Sequence, residues 1–360
     1  MAESKITPQQ RAQNFGASTR QHWQMIGSQE VSGGGQTVSF RVPKSRILAG
    51  FRVMVDGVIN GTGYASGLLS PYNIIRRVSV NLNNGFSPIV LSGESLAALN
   101  LFRKDPQIVY PKNVLNGNED CSLCVLDGDG NKARLNSNKD IQDILYDGPG
   151  FVKFMIDIPL TLNDRDPVGM ILAQNQETAI DLEIDIDSGA SIATEVTVGS
   201  TKISVGTITY SIPTNANAFP DMSVLKVWHD RRETFSGGGM NHIKLPVGMI
   251  YRKLILKLEN EDGSPMTYDQ ITGNIELVLN TADSPYSISP EMLRRVNVSQ
   301  LGYGLPKGYY AFDFTYQGIT NLGGSRDYID CERVSEFTLR FTPQNAGRAT
   351  IITEQLSRLV

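Results

Sequence analysis

Apolar residues along the chain recur with a period of two rather than 3.6. Ile180, Leu182, Ile184 and Ile186 alternate with Asp181, Glu183, Asp185 and Asp187, the pattern of a strand with one dry and one wet face. The same alternation runs through Phe51, Val53 and Val55, through Val78, Val80 and Leu82, and through Leu254, Leu256 and Leu258. Ile275, Leu277 and Leu279 repeat it, as do Phe337, Leu339 and Phe341. The 34 glycines and 17 prolines break these runs at short intervals, which suits many short strands joined by turns. Helical spacing is confined to brief stretches around 95–102, 166–175 and 290–296. The pattern predicts an all-β chain of sandwiches with short helical inserts.

The pattern also repeats itself. Ser32-Gly33-Gly34-Gly35 is followed after seven residues by Pro43, and Ser236-Gly237-Gly238-Gly239 after six by Pro246. At an offset of 197, Leu82, Asn83, Ser87, Pro88, Ser92, Glu94, Leu96 and Asn100 fall on Leu279, Asn280, Ser284, Pro285, Ser289, Glu291, Leu293 and Asn297. Eight identities in nineteen ungapped positions mark an internal duplication. Downstream, Phe154 and Ile156 can be laid on Phe312 and Phe314, and Ile180, Leu182 and Ile184 on Phe337, Leu339 and Phe341. The chain therefore divides into an N-terminal arm (1–30), a first copy (31–213), a linker (214–219) and a second copy (220–360). The shared residues have scaffold roles: glycines for positive φ and close packing, a proline at a strand start, and a serine and an acid at a helix start. None supplies a reactive group.

Composition narrows the function classes. A chain of 360 residues has room for two domains. Its 33 basic and 37 acidic side chains leave a net charge of −4, so the clustered positive surface of a nucleic-acid binder is not expected. Charged residues make up 19%, against about 25% in average domains, and a weakly charged polar surface desolvates cheaply in protein contacts. No apolar run is long enough for a spanning helix, and the first residues lack the pattern of a secretory signal. Three cysteines cannot build a disulfide framework, and free thiols in a reducing compartment are expected.

Candidate chemistry is sparse. Cys121 and Cys124 are spaced CxxC, but no second pair or nearby histidine completes a four-ligand zinc site. Asp127, Asp129 and Asn131 open like a calcium loop, yet Lys132 stands where glycine is needed and Asn138 where glutamate is needed. Asp181, Glu183, Asp185 and Asp187 place carboxylates about 7 Å apart along one strand face. That spacing falls in the range of an inverting glycosidase pair or a cation site, but the alternation alone already accounts for the row as a solvated strand face. His22, His229 and His242 form no His-x-His pair, and no Gly-x-Ser-x-Gly elbow occurs. Arg76-Arg77 and Arg294-Arg295 read as surface or interface charges. The expectation is no catalytic site, no metal and no cofactor.

Residues 1–30 differ from the rest: glutamines accompany Arg11, Phe15, Arg20 and Trp23. The segment suits a flexible arm, or a short helix that orders against a partner or lipid headgroups. On this reading it is dispensable for folding and needed for assembly, with Arg11 and Arg20 at anionic headgroups and Phe15 and Trp23 in the interfacial layer.

Taken together, the two SGGG turns, Val38-Ser39-Phe40-Arg41-Val42-Pro43 with Ile243-Lys244-Leu245-Pro246, and Ile74-Ile75-Arg76-Arg77-Val78 leading to Asn83-Asn84-Gly85 give the chain a family likeness. It resembles the double jelly-roll major capsid proteins of tailless, internal-membrane bacteriophages, the tectivirus type. The resemblance implies two tandem eight-stranded jelly rolls. It implies homotrimeric, pseudo-hexameric capsomers in an icosahedral shell around an internal membrane and a double-stranded DNA genome. Penton and minor capsid proteins, and membrane lipids reached by the N-terminal arm, are the implied partners, without sequence-specific nucleic-acid contact. The implied location is the virion capsid, after synthesis in the bacterial cytoplasm. A carbohydrate-binding or carbohydrate-active double sandwich is the alternative class.

Overall fold

The computed structural model describes the backbone of residues 7–60, 62–66, 70–83, 85–103, 123–126, 144–147, 150–162, 167–174, 177–191, 196–280, 283–302, 304–315 and 328–358. Two compact units divide at Lys226/Val227. In the first, eight main strands follow in sequence: β1 (Gln21–Val31), β2 (Thr37–Arg41), β3 (Ile47–Asn60), β4 (Ile75–Leu82), β5 (Phe86–Leu91), β6 (Gly150–Pro159), β7 (Ile180–Ile186) and β8 (Thr197–Tyr210). They pair in the orders β1-β8-β3-β6 and β2-β7-β4-β5. The second unit repeats this with β9 (Val224–Phe235), β10 (Asn241–Leu245), β11 (Ile250–Asn260), β12 (Ile271–Leu279), β13 (Asp283–Ile288), β14 (Tyr309–Asp313), β15 (Phe337–Pro343) and β16 (Gly347–Arg358). Its orders are β9-β16-β11-β14 and β10-β15-β12-β13. Each strand of one unit thus occupies the place of the strand eight further on in the other, and each unit is an antiparallel jelly roll. Short strands, Leu123–Leu126 on β6, Ile171–Leu172 on β3 and Ile329–Asp330 on β11, extend the sheets.

Period-two patterning places the cores. In the second unit Leu254, Leu256 and Leu258 of β11 pack with Ile275 and Leu277 of β12, Leu339 and Phe341 of β15, and Ile351 of β16. Phe235 meets Phe341 edge-on at 5.2 Å, and Tyr251 meets Phe337 at 5.0 Å. Phe51, Val53, Val55, Val78, Val80, Ile156, Ile158, Leu182 and Ile184 are the buried equivalents in the first unit. Each such side chain contributes about 1.5–3 kcal/mol by leaving water. Cys331 lies in the second core, where burial pushes its thiol up to about 12 and keeps it protonated at neutral pH.

The duplicated residues are braces between strands. Asn83 and Asn280 both adopt the left-handed conformation that asparagine tolerates, with φ of 52° and 49°. Ala179 N–H donates to Asn83 Oδ1 at 2.8 Å, and Ser335 N–H to Asn280 Oδ1 at 3.0 Å, so each asparagine ties the end of one strand to the start of its neighbour. Gly35 and Gly238 are left-handed too, at φ 79° and 75°, and donate to Ile186 O and Pro343 O at equivalent points of β7 and β15. A Cβ at Gly34 would run into the Asp187 carbonyl. The glycines therefore correspond when counted back from Pro43 and Pro246, one residue out of step with the serines. Ser92 and Ser289 cap helices α2 (Gly93–Asn100) and α3 (Pro290–Leu301), with Glu94 and Glu291 in their first turns.

At the helix ends, buried Asn100 donates to Leu96 O and Asp157 O, both at 2.9 Å. Asn297 donates to Ala311 O at 2.7 Å and accepts from Ala311 N–H at 3.1 Å. Asn297→Ala would strand a buried donor and acceptor of β14 and is expected to destabilise by about 2–3 kcal/mol. Asn100→Ala, which frees only carbonyls, should cost about half that. Urea unfolding of both variants checks the order, and equal costs would contradict it.

Several expectations require correction. The arm 1–30 is an arm in neither of its described parts: Thr7 caps helix α1 (Pro8–Ser18), and residues 21–31 form β1, paired with β8 from Gln21↔Tyr210 to Val31↔Thr201. The stretch 214–219 belongs to the first unit, where Ala216–Ala218 make a 3₁₀ turn, Ala218 is buried and Phe219 packs beside Phe15. Ile180↔Leu82 and Phe337↔Leu279 confirm the matched alternation of β7 and β15. The earlier match does not hold: Ile158 faces Phe51 and Phe312 faces Leu254, so Phe312 corresponds to Ile158 rather than Phe154. Residues 167–174 make turns and a short strand in place of the expected helix, Pro167 and a left-handed Gly169 breaking helical geometry.

Candidate assembly surfaces

The N-terminal residues expected to reach a membrane part company in the structure. Phe15 is buried against Ile47, Ala49 and Met170, with its ring 5.3 Å from Tyr210. It is thus a core anchor of α1 and unavailable to lipid. Arg20 is exposed, its backbone N–H donating to Ser211 Oγ at 2.9 Å, and Arg11 is half-buried. Trp23 is exposed on β1, with the Arg52 guanidinium 4.3 Å above its ring. Arg52 also pairs with Asp157 at 3.5 Å across β3 and β6.

The acidic comb on β7 is not an open carboxylate row. Arg41 forks onto Asp181 at 2.9 and 3.1 Å, and the contact raises the arginine pKa through hydrogen bonding and charge. Thr37 donates to Asp185 at 2.6 Å and Arg76 approaches it at 3.4 Å. Asp187 accepts from Gly189 N–H, Ser191 N–H and Ser191 Oγ, closing the turn after β7. Because β7 lies between β2 and β4, partners from both neighbours occupy these carboxylates. Neither a glycosidase pair nor a cation site fits them.

The basic pairs also serve the scaffold. Arg294 donates to the carbonyls of Leu305, Pro306 and Tyr309, and Arg295 bonds Glu291 one turn away on α3. The side chains of Cys121 and Cys124, and residues 127, 129 and 131, lie outside the described residues. Among the described residues no cluster of His, Cys, Asp and Glu has metal-binding geometry.

Charge is concentrated in one buried group of the second unit. Glu354 accepts from Trp228 Nε1 at 2.8 Å and Arg252 Nε at 3.2 Å, with Lys253 Nζ 3.9 Å away. Lys253 also binds Asp313 at 3.2 Å and Thr315 Oγ1 at 3.0 Å. All four of Trp228, Arg252, Lys253 and Glu354 are buried. Sequence reasoning missed this group because its members come from three strands with no common spacing.

No protein-family model matches the chain, and no curated protein matches it in sequence. Solved structures do match, over nearly the whole length. The STIV MCP superposes with a TM-score of 0.64 at 13% identity, covering 94% of this chain and 97% of that one. A chain of the PBCV-1 virus capsid gives 0.63 at 12% identity, covering 94% and 93%. The major capsid protein of bacteriophage PM2 gives 0.53 at 13% identity, covering 94% and 98%. The chain has the double jelly-roll fold of these proteins.

Proposed function

We propose that the chain is a major capsid protein, a structural subunit rather than an enzyme. The observation that carries this reading is the match of both jelly rolls, over 94% of the chain, to viral capsid chains. Two similar lobes per chain give six per trimer, an outline that tiles a hexagonal lattice with one gene product. The subunit assembles as trimeric, pseudo-hexameric capsomers of an icosahedral shell around an internal membrane and double-stranded DNA. It is made in the bacterial cytoplasm, and penton and minor capsid proteins complete the shell. Of the four residues Arg11, Phe15, Arg20 and Trp23, lipid contact falls to Arg11 and Arg20, since Phe15 is spent on the core and Trp23 carries Arg52 over its ring on the sheet. The carbohydrate-active reading loses its main support with the comb engaged by Arg41, Thr37 and Arg76.

Mass photometry of the purified protein should report three times 39.5 kDa, stable to dilution, and electron microscopy should show shells or hexagonal arrays. A monomer at micromolar concentration would refute the capsid reading. In the same preparations, binding to anionic vesicles should weaken in R11E/R20E; unchanged binding would remove the membrane role of these residues alone.

A further inference from the structure

The two units share a fold but open opposite faces. In the second unit, the side of sheet β9-β16-β11-β14 turned away from the sandwich core is closed to solvent, with Trp228, Ile255, Ala311 and Ile352 each at 1% exposure or less. In the first unit the matching side of β1-β8-β3-β6 is open beyond the end where Phe15 of α1 packs beside Ile208 and Tyr210. Register places Met54 opposite Met155, and both Met25 and Arg52 opposite Gly206, so these residues share one face with Trp23 under Arg52. That face exposes Trp23 by 67%, Met25 by 66%, Met54 by 39% and Met155 by 41%. Four large apolar side chains on one sheet face is a concentration that isolated surface residues do not show.

The helices are open in the reverse sense. Helix α2 buries seven of its eight residues, Gly93 and Ser95 to Asn100. Helix α3 buries only Pro290, Leu293 and Asn297, leaving Met292 59% and Val298 45% exposed beside the Glu291–Arg295 pair. One chain therefore presents an open apolar sheet face on its first unit and, on its second, an open helix face where Met292 and Val298, about 120° apart around the axis, flank the Glu291–Arg295 pair.

We propose that the open sheet face of the first unit is covered by helix α3 of a second copy of this chain. The proposal rests on the self-assembly reading above and assigns its surfaces. Met25, Met54, Met155 and Trp23 form the apolar centre, which Met292 and Val298 enter; methionine adapts to such a contact. On the sheet, Lys153 with Asp56 at 3.8 Å borders the apolar centre, as at an interface rim, and on the helix Arg295 with Glu291 at 2.7 Å lies between the two apolar side chains. Because the two surfaces differ, the contact is heterologous, the kind that closes a ring when its rotation divides a full turn.

The test uses the full chain with Met54→Glu on the sheet face and Met292→Glu on the helix face. Both positions are exposed, so circular dichroism and thermal midpoints should match the parent; M155E and V298E replace either variant that misfolds. Each variant alone should need about tenfold or more higher concentration to associate, since a charge would be buried without a partner. Mixing the two should give a dimer and stop there, because one intact sheet face meets one intact helix face. If the parent is a trimer and both variants remain trimers, the surface assignment is overturned and the self-assembly reading stands. Loss of association from the sheet variant alone also overturns it, since the face would then meet something other than α3. A monomeric parent overturns the self-assembly reading itself.

Discussion

A chain shortened by its first 31 residues is expected to lose the first unit rather than an appendage. β1 pairs with β8 along its length, and its removal leaves the backbone donors and acceptors of β8 unpaired on a new edge. Such an edge templates aggregation, so the shortened chain should be insoluble or lack one cooperative transition. Removing only residues 1–18 keeps β1 and forfeits the burial of Phe15 against Ile47 and Met170, a loss of about 3 kcal/mol. Phe15→Ala should reproduce most of that cost. Solubility and urea unfolding of the three variants check the ranking, and native-like folding from residue 32 would show that β1 is not integral to the sheet.

Glu354→Ala is expected to cost the second unit about 3–5 kcal/mol, the penalty for breaking a buried ion pair from one side. The substitution removes the carboxylate that accepts from both Arg252 Nε and Trp228 Nε1 inside the sheet. Lys253 keeps Asp313, so its charge remains matched. Glu354→Gln preserves an acceptor for Trp228 and should fall between parent and alanine variant. The double change Arg252→Met, Glu354→Leu should recover much of the loss, because replacing both partners removes the charges together. Thermal unfolding of the set decides the matter; a mild Glu354→Ala would show that water solvates the site.

What could be read in advance follows from what is local. The duplication was visible because turn and cap chemistry is local: asparagine at a left-handed turn, glycine where a Cβ would strike a carbonyl, serine at a helix start. β1 was hidden for the opposite reason. It is an edge strand, mostly open to solvent, and an irregularity between Met25 and Gly27 breaks its period, so Gln, His and Ser read as an arm. Cross-strand pairing was equally out of reach: Arg41 meets Asp181 from 140 residues away, and alternation alone suggested a bare acidic row. The open sheet face left a faint trace. Met54 between Val53 and Val55, and Met155 between Phe154 and Ile156, put apolar side chains where a solvent-facing strand calls for polar ones.

The pairing of β1 with β8 also sets an order of events during synthesis. Gln21 finds Tyr210 across 189 residues of chain, so β1 leaves the ribosome long before its partner exists. At about 5–20 residues per second, the interval is roughly 10–40 seconds. Throughout it, an unpaired β segment is exposed to every other nascent chain in the cell. Trp23, Met25 and Ile26 are its only large apolar residues before Val31, and glutamine, histidine, serine and glutamate fill most other positions. That polarity keeps the waiting strand in solution. The composition of β1 therefore serves a stage of its life that the folded protein no longer displays.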